Sequence, residues 1–291
     1  MYAADFDYHR AASLADAQRL LAAHPGAKLL AGGHSLIPLM KLRLAAPAAV
    51  IDIGRVPELR GVAAAGGTIR IGALTTHAEL AASAELRRAA PALAEAAAIV
   101  GDPAVRNRGT IGGNVAHADP ASDLPTVLGA LDARIVAVGP RGERTIAAAD
   151  FFTGLMSTAL AGDEILAAVT VPAGTRGQGS AYAKFAHPAS RYAVVGAAAF
   201  VEMRAGTCSA VRVVVGGLVP RATRAPSVEA ALAGGRAGEA EMAAAAARVG
   251  ADLGQEVTGD IFASAEYRRA VAPVYVRRAV SAAVARAGLS G

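Results

Sequence analysis

The chain has 291 residues, 54% of them hydrophobic but only 4% aromatic, with no tryptophan and a formal net charge of +5. That length suits one large domain or two to three smaller ones, with ample chain to bury a core. The single cysteine, Cys208, excludes an internal disulfide framework and any iron–sulfur cluster or all-cysteine metal site held by this chain alone. Basic residues are scattered without interleaved aromatics, so nucleic-acid binding has little support. No apolar run approaches the roughly 20 residues of a membrane span, and the acidic stretch 1–7 lacks a signal-peptide pattern. A cytoplasmic protein is expected, either free or peripheral on the inner face of the membrane.

In chain order, residues 13–23 read as a helix capped by Ser13, with Leu14, Ala17, Leu20 and Leu21 on one face. His24-Pro25-Gly26 ends it, and 28–31 reads as a short buried strand running into Gly32-Gly33. Residues 39–44 read as one short helical turn after Pro38, and 49–53 as a second buried strand. The alternation over 68–73, after Gly66-Gly67, predicts a hairpin or meander. Thr76 with Glu79 three residues on has the pattern of a capping box. Residues 83–100 are helix-rich, with Pro91 early in its own helix, until Gly101-Asp102-Pro103 breaks the pattern.

A second glycine turn is expected at Gly112-Gly113, followed by a helix from about Ala121 to Leu131. Residues 134–138 and 143–146 read as a strand and its return, 150–154 as a turn or short helix, and 164–171 as a strand closed by Pro172. The polar, glycine-rich connector 173–179 marks a boundary. Beyond it, 180–185, 193–202 and 209–215 read as three strands, and 225–232, 239–249 and 266–287 as helices, a small α+β domain.

The chemistry concentrates in two strings, Ala31-Gly32-Gly33-His34-Ser35-Leu36-Ile37-Pro38 and Thr110-Ile111-Gly112-Gly113-Asn114-Val115-Ala116-His117-Ala118-Asp119-Pro120. Glycine pairs let the backbone approach a ligand closely, and successive N–H groups in such a turn can cradle a phosphate. Neither the Rossmann nor the Walker spacing is present. Two such strings suggest a diphosphate ligand gripped from both sides. His34 and His117 have no third residue spaced to complete a metal site, which favours hydrogen-bonding roles. Asp119 and Asp123 sit where a helix start attracts carboxylates, which favours capping and ligand-hydroxyl binding over acid–base work. Cys208 reads as a buried small hydrophobe. Arg106 and Arg108 fit a phosphate contact, a partner contact or a solvated loop equally well.

The first string, extended through Met40-Lys41-Leu42-Arg43-Leu44, and the second, extended through Ala121-Ser122-Asp123, resemble the two flavin motifs of molybdenum hydroxylases. The family is that of the FAD-binding medium subunit of carbon monoxide dehydrogenase and xanthine dehydrogenase. The resemblance implies an α+β, PCMH-type FAD-binding fold: subdomains over 1–56 and 57–175, and a C-terminal domain over 176–291 with a three-stranded antiparallel sheet and helices. It further implies that Leu30, Ala31, Gly32, Gly33, His34, Ser35 and Leu36 contact FAD, the backbone wrapping the diphosphate and Leu36 lying against the ring. Thr110, Ile111, Gly112, Gly113 and Asn114 would grip the ligand from the other side. Asp123 would accept ribityl or ribose hydroxyls, and Leu166 would contact the ring edge. Lys184 would bring positive charge to the pyrimidine edge, and Tyr192 would shield the ring. The stretch Ala186-His187-Pro188 and Arg191 departs from the family's usual wording.

No residue is assigned a catalytic or metal-ligating role. The function implied is electron transfer from the [2Fe–2S] clusters of a small partner subunit, through FAD, to an external acceptor. A large molybdenum-cofactor subunit would oxidise the substrate, in a dimer of heterotrimers. The alternatives are a self-contained FAD-dependent oxidase or dehydrogenase and a flavin-free scaffold subunit. The first would need its own acid–base constellation, and the second is disfavoured by intact glycine strings.

Overall fold

The structure is a computed structural model describing residues 2–289. The first lobe runs β1 (Asp7–Arg10), α1 (Leu14–Ala23), β2 (Lys28–Leu30), α2 (Leu36–Lys41) and β3 (Ala49–Asp52). Its strands form a parallel sheet in the order β1-β3-β2. Ser13 caps α1 by accepting the Asp16 N–H at 3.1 Å, and Ala17, Leu20 and Leu21 pack with Ile51 of β3 in one apolar cluster. Helix α2 starts three residues before the 39–44 turn expected from sequence and contains Pro38. Proline is tolerated there because the N–H groups of a first turn have no intrahelical acceptor anyway.

The second lobe opens with the hairpin β4 (Val62–Ala65) and β5 (Thr68–Gly72). Six helices follow: α3 (His77–Ala82), α4 (Ala84–Ala89), α5 (Pro91–Ala98), α6 (Pro103–Arg106), α7 (Ile111–His117) and α8 (Asp123–Ala130). The chain then forms β6 (Arg134–Gly139), β7 (Gly142–Ala147), α9 (Ala148–Phe151), the small ribbon of β8 (Phe152–Gly154) and β9 (Ser157–Thr158), and β10 (Ile165–Pro172). The main sheet is antiparallel, in the order β4-β5-β10-β6-β7. Its core is built from Ala, Leu, Ile and Val, and Phe151 is its largest fully buried side chain. Thr76 and Glu79 complete the expected capping box.

Two features of this lobe correct the reading from sequence. Residues 103–106 form a helix where the pattern breaks, with Asp102 accepting the Val105 N–H at 2.9 Å as its cap. The second glycine pair lies in the first turn of α7, not in an open turn. A Cβ on Gly112 would come within 2.5 Å of the Ala73 Cβ. Helix α7 therefore reaches the end of β5 only because that position is glycine.

The third lobe has β11 (Gln178–Ala186), β12 (Ala193–Arg204), β13 (Thr207–Gly216) and β14 (Thr223–Arg224) in one antiparallel sheet, followed by α10 (Pro226–Leu232), α11 (Glu239–Ala246), α12 (Val249–Asp252) and α13 (Ala265–Leu289). The sheet has four strands where three were expected; the added one is two residues long and pairs with Val214 and Val215, too short to leave a periodic pattern. Helix α13 packs on β11 and β12 through Ala272, Val276, Ala279 and Ala283. The lobe docks on the second through Arg286, which donates to the Ser180 carbonyl of its own lobe and reaches both carboxylate oxygens of Glu95 in α5. Among the described residues, no helix is long and apolar enough to cross a membrane.

Close packing of α13 on its sheet depends on Gly179, where a Cβ would stand 2.1 Å from the Ala283 carbonyl oxygen. Gly179→Val is therefore expected to lower stability by about 1–3 kcal/mol, the usual cost of overpacking. Urea unfolding checks this, and an unchanged midpoint would contradict the contact.

Candidate functional site

A cavity of about 630 Å³ opens where the three lobes meet. One wall is the segment between β2 and α2, and the opposite wall is the start of α7. Leu166 of β10 lines it, as do Ser190, Arg191 and Tyr192 from the β11–β12 connection.

The first wall is held open by glycine geometry. Gly33 has φ +77°, a left-handed conformation that side chains rarely adopt. Gly32 lies against the second lobe so closely that a Cβ would stand 1.9 Å from the Arg108 carbonyl oxygen. The His34 ring Nδ1–H donates to the Gly32 carbonyl at 3.1 Å. The backbone N–H groups of Gly32, Gly33, His34 and Ser35 have no acceptor among the described residues. Four successive donors without partners at a cavity wall are what an anionic ligand requires.

The second wall is different. Ile111 N–H donates to the Thr75 carbonyl at 3.0 Å, Gly112 N–H to the Ala73 carbonyl at 2.8 Å, and Gly113 N–H to Thr110 Oγ1 at 3.2 Å. The first donors of α7 are thus used within the protein. What this wall offers is a close approach at Gly112 and Gly113 and the Asn114 side chain. Asn114 Oδ1 accepts the Ser122 hydroxyl at 2.7 Å, which leaves its amide N–H groups available.

Asp123, at the start of α8, lines the cavity yet is only 4% exposed. Its Oδ1 accepts the Tyr182 hydroxyl at 2.6 Å, and its Oδ2 takes the Lys184 ammonium at 2.8 Å. Burial pushes the Asp123 carboxyl upward, opposed by Lys184 and Tyr182, while burial and Asp123 together push the Tyr182 phenol well up. Lys184 also donates to the Ile99 carbonyl at 3.3 Å. It does not line the cavity, and its charge is matched by Asp123 before reaching any ligand. Two other expected contacts also lie off this wall: Ile111 is fully buried, and Leu30 lines an adjoining cavity. Ala31, Gly32, Gly33, His34, Ser35, Leu36, Thr110, Gly112, Gly113, Asn114, Asp123, Leu166 and Tyr192 all line the cavity.

The atypical stretch before Tyr192 is turn chemistry. His187 Nδ1 accepts the N–H groups of Ala189 and Ser190, each at 3.2 Å. The His187 N–H donates to the Tyr192 carbonyl, and Arg191 takes φ +63°. The loop presents Tyr192 at the cavity, its phenol pushed up by burial and then by Asp119 and Asp123. Sequence reasoning missed His77 and Glu164, which also line the cavity. Glu164 is held ionised by Arg144, at 2.6 and 2.8 Å. His77 is 2% exposed, with its Nδ1 buried and unpartnered. Its position in the capping sequence was legible, but its burial against Gly109 was not.

Two family models match the chain: the FAD binding domain in molybdopterin dehydrogenase over residues 4–174 and the CO dehydrogenase flavoprotein C-terminal domain over residues 180–283. The chain is 41% identical to the carbon monoxide dehydrogenase medium chain of Hydrogenophaga pseudoflava, over 97% of this chain and 98% of that one. It is 38% identical to the nicotine 6-hydroxylase medium subunit of Paenarthrobacter nicotinovorans, over 96% and 97% of the two chains. A solved structure of the Hydrogenophaga pseudoflava carbon monoxide dehydrogenase superposes with a TM-score of 0.94 at 42% identity, covering 98% of this chain and 99% of that one. Unpartnered backbone donors on one wall, a glycine-lined helix on the other and matches across both halves lead to one conclusion: the chain belongs to the FAD-binding medium subunits of the molybdenum hydroxylase family.

Proposed function

We propose that this chain is the electron-transfer subunit of a molybdenum hydroxylase complex, receiving electrons from the [2Fe–2S] clusters of a small partner and passing them to an external acceptor. The observation that carries the reading is the row of four backbone N–H groups without acceptors among the described residues, Gly32 to Ser35, on residues that line a cavity of about 630 Å³. When bound, FAD supplies the redox chemistry, and the protein supplies position and field. Residues 31–35 would hold the diphosphate and adjoining sugar. Thr110, Gly112, Gly113 and the Asn114 amide would close the other side. Leu36, Leu166 and Tyr192 would cover the ring and exclude water. Asp123 would use its remaining lone pairs for a ribityl or ribose hydroxyl. Arg191, which lines the cavity without an ion-pair partner among the described residues, is better placed than the neutralised Lys184 to act on a flavin or an acceptor.

The relatives are medium chains, so a large molybdenum-cofactor subunit and a small iron–sulfur subunit are the partners we infer, in a dimer of heterotrimers in the cytoplasm or peripheral on its membrane face. The division at 1–56, 57–175 and 176–291 belongs to the same reading. It is supported by the confinement of each main sheet to one of these segments.

The isolated chain is expected to copurify with FAD, showing absorbance bands at about 370 and 450 nm. Gly32→Ala should lose most of that flavin with secondary structure intact, because the added methyl would collide with the Arg108 carbonyl. Wild-type flavin content in the variant would sink the placement. Lys184→Met strands a buried carboxylate and should cost about 3–5 kcal/mol by urea unfolding. The double variant with Asp123→Asn should recover part of that loss, and no recovery would refute the pairing.

His77 gives a pH signature. Burial first, then the charges of His34 and Arg106, lower its pKa from 6.5 to about 4. Its neutral form is favoured by folding, so this stability is fully present above pH 6.5 and is lost as pH falls toward 4. The total is about 3 kcal/mol. His77→Gln should flatten the stability of the flavin-free chain across that window; an unchanged slope would assign the acid sensitivity elsewhere.

A further inference from the structure

A second cavity, of about 390 Å³, adjoins the first glycine string and shares only Ala31 and Gly32 with the FAD cavity. Four arginines are among the residues that line it. Arg10 comes from the end of β1, Arg55 and Arg60 flank the short turn at Pro57–Leu59, and Arg108 comes from the second lobe. Among the described residues Asp52 is the sole carboxylate in the lining, and it is already engaged. Its Oδ2 accepts the Tyr8 hydroxyl at 2.5 Å, its Oδ1 accepts the Gly54 N–H at 2.8 Å, and Arg10 stands 3.6 Å away. Arg60 donates to the Gly54 carbonyl at 2.6 Å. The guanidinium groups of Arg55 and Arg108 have no hydrogen-bond or ion-pair partner among the described residues.

Four cations around one satisfied carboxylate leave a net positive concavity, which attracts and concentrates anions. Planar guanidinium forks match phosphate oxygens better than any other side chain does. Leu30 and Ile37 give the same cavity an apolar side. Its volume lies within the range of about 300–1,000 Å³ for small-molecule sites. We propose that this cavity binds a mononucleotide, its phosphate on the arginines and its base against Leu30 and Ile37. The site is separate from that of FAD but coupled to it. Arg108 belongs to the backbone segment that meets Gly32, so an anion held between Arg108 and the first lobe's Arg10 and Arg55 bridges the two lobes that clasp the flavin.

The test is a calorimetric titration of AMP into the FAD-loaded full chain at low salt. Binding is expected, with at least a tenfold loss of affinity in Arg55→Ala and in Arg108→Ala, and no loss in Arg176→Ala, an exposed arginine outside the cavity. Flavin content should stay at the wild-type level in Arg55→Ala. Inorganic phosphate, run as a second arm, should bind more weakly than AMP; equal or tighter binding overturns the nucleotide assignment. The proposal also fails if AMP gives no heat, if it binds only after FAD is stripped, or if both cavity variants keep wild-type affinity. Titration of the purified multi-subunit complex should still show AMP binding. Its disappearance there would assign the arginines to an acidic partner surface and overturn the small-molecule site.

Discussion

Gly32 meets the Arg108 carbonyl across the boundary between the first two lobes with no room for a side chain, and most of the site depends on that approach. The contact brings the free donors of residues 32–35 opposite the start of α7. It also fixes Gly109, whose N–H bonds to the Val105 carbonyl and whose carbonyl accepts the His77 N–H at 3.0 Å. The two strings are therefore neighbours in one interlobe seam. Small residues in them let the two backbones approach each other and would allow the same approach to a ligand.

The two walls divide the work of binding. The first keeps its N–H groups unspent because the chain there is neither helix nor strand. The second spends its own on Thr75, Ala73 and Thr110, which makes it a rigid surface of fixed position. Electrostatics follow the same economy. Lys184 with Asp123, and Arg144 with Glu164, are paired close to the cavity, so neither presents a net charge to it. The buried Asp123–Lys184 pair adds little stability over apolar replacements but is costly to break, and Asp123 with Tyr182 and Lys184 ties α8 to β11 across two lobes.

Most of the element order was legible because alternation, capping and proline positions are local signals. Thr76 with Glu79, Ser13 and Pro91 each announced a helix start. The short elements were not legible. Helix α6 is a single turn, β14 has two residues, and α7 hides behind a glycine pair whose helical conformation is imposed by the end of β5. The cavity-lining residues of the two strings were readable from their motif. The state of Lys184 was not, since pairing with Asp123 joins positions 61 residues apart. His77 carried no sequence signal beyond its place after a cap, because its burial is set by Gly109.

A cofactor held in the interlobe cavity would also be a term in the folding equilibrium. A ligand that binds only the closed, native chain stabilises it by mass action, adding about 1.4 kcal/mol for each tenfold excess of free ligand over its dissociation constant. At Gly32 the interlobe seam is bare backbone, so a flavin bound there would add contact area that side chains do not supply. FAD held in this cavity would therefore raise the chain's resistance to unfolding as its free concentration rises.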